Sequence, residues 1–143
     1  MHGWIGYLLR INLTTGSVSK ENLSREVARS FMGGRGLGTY LMSREVSPAI
    51  DPLAPENRLI FAAGPLSGTN APSSSHWNIV TKGALTCTIA SSSSGGLFGA
   101  MLKYAGYDAL VFEGKADHPV YIWIKDDKVE IRDATRLWGK TTP

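Results

Sequence analysis

The chain has 143 residues, 43% apolar and 19% charged, with 15 Lys+Arg against 12 Asp+Glu for a net charge of +3. That length supports one domain with its own core, and that balance excludes a disordered chain. The basic residues are scattered, which argues against a nucleic-acid partner. A lone cysteine, Cys87, excludes an internal disulfide and an iron–sulfur or cysteine-based zinc site built by this chain alone.

In chain order, Tyr7 to Lys20 reads as a hairpin: Leu9, Ile11 and Leu13 alternate with Arg10 and Asn12, and Thr14-Thr15-Gly16 turns toward Val18. Ser24 is placed to cap a helix carrying Val27, Ala28 and Phe31. Gly33-Gly34-Arg35-Gly36-Leu37-Gly38 has the glycines of a dinucleotide fingerprint. It follows a helical pattern rather than a strand, so it reads as a break before a second helix with Leu37, Tyr40 and Leu41. Arg35 in that break could hold an anion or helix-end carbonyls.

Ser47 to Asn57 is a proline-rich loop, and Leu59 to Ala63 an apolar, buried strand. The loop Ser67 to Ser75, SGTNAPSSS, is long and made of small residues, a composition that often carries function. His76 to Lys82 alternates as a strand, with Trp77, Ile79 and Thr81 opposed to Asn78 and Val80.

Thr86 to Tyr107 is the stretch with the most chemistry. It is expected to run as an apolar strand (Thr86–Ala90), then Ser91 to Ser94 with Gly95 and Gly96, then a helix with Leu97, Phe98, Met101, Leu102 and Ala105 on its apolar positions. Small residues before a helix N-terminus form either an anion site or a serine-capped turn, and both readings stand. Cys87 is expected to be a buried, inert thiol. Asp108 to Glu113 is a further strand, and Val120–Ile124 with Val129–Arg132 a hairpin about Asp126-Asp127, apolar on both faces and so expected to be covered on both. Thr141-Thr142-Pro143 looks like a helix opening.

Three histidines, His2, His76 and His118, lack ligand spacing. His76 stands out, because pairing of its strand with the following one brings it beside the serine–glycine run. There it either donates to a phosphate or heterocycle, or is a surface histidine at a strand end. Nothing assembles a nucleophile, base and orienter. The order of elements gives an α+β, strand-rich fold in two related β-α-β halves with a pseudo-twofold arrangement. With no charged leader and no apolar run near about 18 residues, the expectation is a cytoplasmic chain without a membrane partner.

GYLLRINLTTG, GGRGLGTYLM, DPLAPENRLIFAAGPLSGTNAPSSS, SSGGLFGAMLKYAGYDALVFEGKA and PVYIWIKDDKVEIRDATRLWGK together resemble the N-terminal domain of the aldehyde ferredoxin oxidoreductases. The resemblance implies a tungstopterin (or molybdopterin) cofactor whose two pterins a magnesium ion bridges, and oxidation of aldehydes to carboxylic acids with ferredoxin as acceptor. It places cofactor contacts at His76, Ser93, Ser94 and Gly95. Family members often carry Arg at the position of His76 and Asn at that of Ser93. The 4Fe-4S cluster, a second pterin-binding set and the catalytic groups come from later domains. The chain is therefore expected to be a single, incomplete pterin-cradling domain over 1–143, inactive alone, whose partners are the remaining domains or a subunit supplying them, with a homodimer open to it. A non-catalytic pterin-binding or assembly module, or a truncated paralogue, is the alternative.

Overall fold

The most apolar strands lie at the middle of the sheet, where both faces need cover. In the computed structural model, which describes residues 2–141, the elements are β1 (Tyr7–Asn12), β2 (Val18–Asn22), α1 (Arg25–Phe31), α2 (Gly34–Glu45), β3 (Arg58–Ala63), β4 (Trp77–Lys82), β5 (Ile89–Ser94), α3 (Phe98–Tyr104), β6 (Ala109–Glu113), β7 (Val120–Lys125) and β8 (Lys128–Asp133). Six strands form one sheet in the order β2-β1-β6-β3-β4-β5, and β7 and β8 pair separately. This is the expected mixed, strand-rich class. The layout has two parts: a hairpin stands at each edge, β1–β2 and β4–β5, and β6 meets β3 antiparallel between them. Strand direction differs between the parts, since β1 is parallel to β6 whereas β4 is antiparallel to β3.

Period-two alternation divides the side chains between two cores. On one face Leu8, Ile60, Ala62, Val80, Ala109 and Val111 pack against α1 and α2 through Ala28, Leu37, Leu41 and Met42. On the other, Leu9, Ile11, Ala63 and Leu110 pack against Leu102 of α3 and against Ile122, Ile124, Val129 and Ile131 of the β7–β8 hairpin. The hairpin is therefore covered on one face. Its outer face does not match the expectation of cover on both: Tyr121 is exposed, and Trp123 is flanked by Arg132 and Lys128 at 4.4 and 5.5 Å from its ring. Long cationic side chains replace a packed layer there.

Ser24 caps α1 by accepting from the Val27 N–H at 3.2 Å. The glycine motif is a helix break followed by α2, as expected, with left-handed backbone at Met32 (φ 61°) before it. Its glycines let α2 lie close against the sheet: a Cβ on Gly38 would come 2.5 Å from Val80 Cγ2. The call on Thr142 and Pro143 lies outside the described residues.

Two expectations about the central stretch are corrected. The strand runs Ile89–Ser94 rather than Thr86–Ala90, so all four serines lie within β5 and not in a turn. Pairing with apolar β4 overrides the weak strand preference of serine. Cys87 is exposed, with φ 54°, in the tight connection before β5, where its N–H donates to the Gly83 carbonyl at 2.9 Å.

Candidate functional site

The antiparallel β4–β5 register pairs Trp77 with Ser94 and Asn78 with Ser93. His76 and Gly95 each lie one residue beyond the Trp77–Ser94 pair. The sheet thus gathers His76, Ser93, Ser94 and Gly95 at one end of its edge hairpin, as pairing of the two strands was expected to do. His76, Ser93, Ser94 and Gly95 are all exposed. Among the described residues the outer side of β5 has no neighbouring strand, so alternate backbone N–H and C=O groups face outward there. A Cβ built on Gly95 or Gly96 meets nothing within 4 Å, so the space before the turn is open.

The serines do not cap α3. Its N-cap position is Leu97, with no side-chain capping hydrogen bond, and the helix spans only Phe98–Tyr104. The polar groups of the site come from a strand edge and a turn, not from a helix N-terminus as the sequence suggested.

Neighbouring residues hold both sides of the site in place. Ser67, at the start of the small-residue loop, is buried; it accepts from the Gly64 N–H at 3.2 Å and donates to the His76 carbonyl at 3.1 Å. Tyr104 of α3 donates to the Gly68 carbonyl at 2.9 Å. The loop is thereby closed onto the strand that follows it. Trp77 Nε1 donates to the Gly95 carbonyl at 2.9 Å, and Asn78 Nδ2 donates to Ser93 Oγ. Sequence reasoning missed Trp77 and Asn78 as site residues. The available signal was a polar Asn78 on the strand face that also carries buried Val80.

Two charge clusters also went unread. Arg10 bonds Glu21 at 2.7 Å and Glu45 at 2.8 Å, and Arg58 pairs with Glu113 at 3.2 Å, beside a cleft of about 510 Å³. The hydrogen bond to Glu45, ahead of that to Glu21, holds the Arg10 guanidinium protonated beyond the ordinary arginine range, against the opposing cost of its burial. These pairs tie β1, β2, β3, β6 and α2 together, away from the β4–β5 end. Lys103 and Asp108 form a buried ion pair. Asp108 also accepts from the Ile5 and Gly6 N–H groups at 3.1 and 2.7 Å, and Lys103 donates to the Gly3 carbonyl at 2.9 Å. A second cleft, about 580 Å³ and mostly apolar, lies between α3 and the β7–β8 hairpin. Its lining of Phe, Leu, Ile and Met suits an apolar occupant rather than an anionic one.

Arg35 is exposed, and its backbone N–H, not its side chain, makes the contact of note, donating to Asn78 Oδ1 at 3.1 Å. His118 pairs with Asp117, and His2 is exposed. Among the described residues no three His, Cys, Asp or Glu side chains are grouped to hold a metal ion, and no helix is long and apolar enough to cross a membrane.

The chain is 54% identical over 140 residues to the "Tungsten-containing aldehyde ferredoxin oxidoreductase" of Pyrococcus furiosus and 54% identical to that of Thermococcus kodakarensis, covering 98% of this chain. It is 41% identical over 142 residues to the "Aliphatic sulfonate oxidoreductase, WOR-like subunit" of Pyrococcus furiosus, covering 97% of this chain. It spans 23% of the length of the first two relatives and 22% of the third. Among solved structures, the "Active site complex BamBC of Benzoyl Coenzyme A reductase in complex with 1,5 Dienoyl-CoA" superposes with a TM-score of 0.94 at 40% identity, over 96% of this chain and 21% of that one. The family described as "Aldehyde ferredoxin oxidoreductase, N-terminal domain" matches residues 8–143, and the chain belongs to it.

Proposed function

We propose that this chain is the pterin-cradling portion of a tungsten-containing oxidoreductase that converts aldehydes to carboxylic acids with ferredoxin as electron acceptor. The observation that carries the reading is the β4–β5 register, which brings His76, Ser93, Ser94 and Gly95 to one exposed strand end in a chain of this family. The donor set fits the organic part of the cofactor. Hydroxyls, outward backbone groups of an edge strand and an imidazole match phosphate and pterin heteroatoms, and the glycine turn leaves room for them. Among the described residues no three His, Cys, Asp or Glu side chains are grouped to hold a metal ion, and one cysteine is too few for a four-iron cluster. In this reading the Ser93 backbone carbonyl would face the magnesium ion that the family resemblance implies. When bound, the tungstopterin supplies the electron- and oxygen-transfer chemistry. The protein groups would orient it: His76, Ser93 and Ser94 by hydrogen bonds, Gly95 by close backbone approach.

In this reading the partners are a ferredoxin and polypeptide that supplies the cluster cysteines and catalytic groups. That fits the fraction of its relatives' length that the chain spans, and the neighbour's description as a complex. Purification without oxygen, followed by metal analysis and mass spectrometry, tests it. Pterin and tungsten accompanying this chain and a cysteine-bearing partner are expected. A chain that carries pterin with no tungsten and no such partner supports instead a non-catalytic binding module, and one free of pterin overturns both readings.

A further inference from the structure

The glycine motif at the start of α2 and the Ser93–Gly95 segment at the end of β5 are far apart in sequence, yet one side chain joins them. Asn78 Oδ1 accepts from the Arg35 N–H at 3.1 Å, and Asn78 Nδ2 donates to Ser93 Oγ. Helix α2 has no side-chain cap of its own, because Gly33 occupies its N-cap position. Asn78 supplies that cap from the neighbouring strand. The contact requires glycine at position 34, where a Cβ would come 2.7 Å from Asn78 Oδ1. The free N–H groups of a helix start accept no hydrogen bond, so they fix the amide with its oxygen toward α2 and its nitrogen toward Ser93. The Ser93 oxygen then receives a hydrogen bond from within the protein, and its own O–H is left to donate outward.

We infer that Asn78 is a positioning residue for the cofactor site: it sets the Ser93 hydroxyl as a donor toward a phosphate or pterin oxygen. The inference rests on the proposed cofactor reading and adds to it a direction for one hydrogen bond and a role for the glycine motif. Trp77, through its bond to the Gly95 carbonyl, holds the far end of the same segment.

Asn78→Asp separates positioning from scaffolding. Aspartate still accepts from the Arg35 N–H and suits a helix N-terminus, so the thermal midpoint is expected to stay the same or rise. Its second oxygen can only accept, so the Ser93 O–H turns inward and the outward donor is lost. Pterin recovered with the purified full chain, read as its fluorescent oxidised form, is expected to fall roughly tenfold, the effect of losing one hydrogen bond to a charged group. Ser93→Ala is expected to cause a similar fall, and the double variant no further one.

Wild-type pterin content in N78D overturns the inference and leaves the cofactor reading standing. A further fall in the double variant also overturns it, because the effect is then that of the added charge. A loss of pterin accompanied by a lower thermal midpoint makes Asn78 a structural residue only. Absence of pterin from the wild-type chain overturns the cofactor reading and this inference with it.

Discussion

At the scale of single residues, the buried Lys103–Asp108 pair sets the sharpest expectation. Asp108 is 1% exposed and Lys103 6%, and both satisfy backbone groups of the N-terminal segment. Asp108→Asn keeps the shape and leaves Lys103 buried without a counter-charge, at a cost of about 3–5 kcal/mol. Urea unfolding measures it, and a loss below about 1 kcal/mol contradicts the account. Tyr107 sets a pH expectation. Burial raises its phenol above the ordinary 10.0, with nearby Lys20 opposing. The folded state thus keeps the proton that the unfolded chain releases. Its contribution is full below about pH 10 and is lost as pH rises through the folded value. Unfolding free energy measured from pH 8 to 11 is expected to fall less steeply in Tyr107→Phe than in the wild type. Neither role was legible beforehand: Asp108 read as the first residue of a strand and Lys103 as one position of a short helix, and only the fold brings them together.

At the scale of elements, the periodic patterns were informative and the small-residue run was not. Leu9 and Ile11, the Ser24 cap, the break before α2 and the β7–β8 hairpin were readable because apolar period and capping chemistry act locally. The serines of β5 were misplaced because nothing in Ser91–Ser94 favours a strand; the register with β4 imposes it. Cys87 was misread for the same reason, since moving the strand forward leaves position 87 in the connection. His76 was placed beside the serine–glycine run from pairing alone, whereas Trp77 and Asn78, which hold that run, needed side-chain geometry. The seating of α2 gives a direct check. Gly38→Ala drives a Cβ against Val80, which is fully buried, and is expected to cost about 1–3 kcal/mol by overpacking. A neutral result by thermal unfolding means that α2 can lift from the sheet without loss.

For the molecule as a whole, a helix layer, a six-stranded sheet and a layer of α3 with the β7–β8 hairpin leave the β5 edge uncharged and, among the described residues, unpaired. The opposite edge strand, β2, carries Lys20 and Glu21. β5 thus lacks the charged side chains that guard the β2 edge. The fold class was readable because the strand runs are long and regular, and the family because its blocks lie along nearly the whole chain. The site's final form was not, because it depends on a strand edge that no local pattern marks. In the proposed function the β4–β5 end, and not the larger apolar cleft, holds the pterin. Hydrogen–deuterium exchange of the full chain with and without extracted tungstopterin tests it most directly. Protection confined to 76–78 and 93–96 is the predicted result; protection of α3 and the β7–β8 hairpin, or none, contradicts the account.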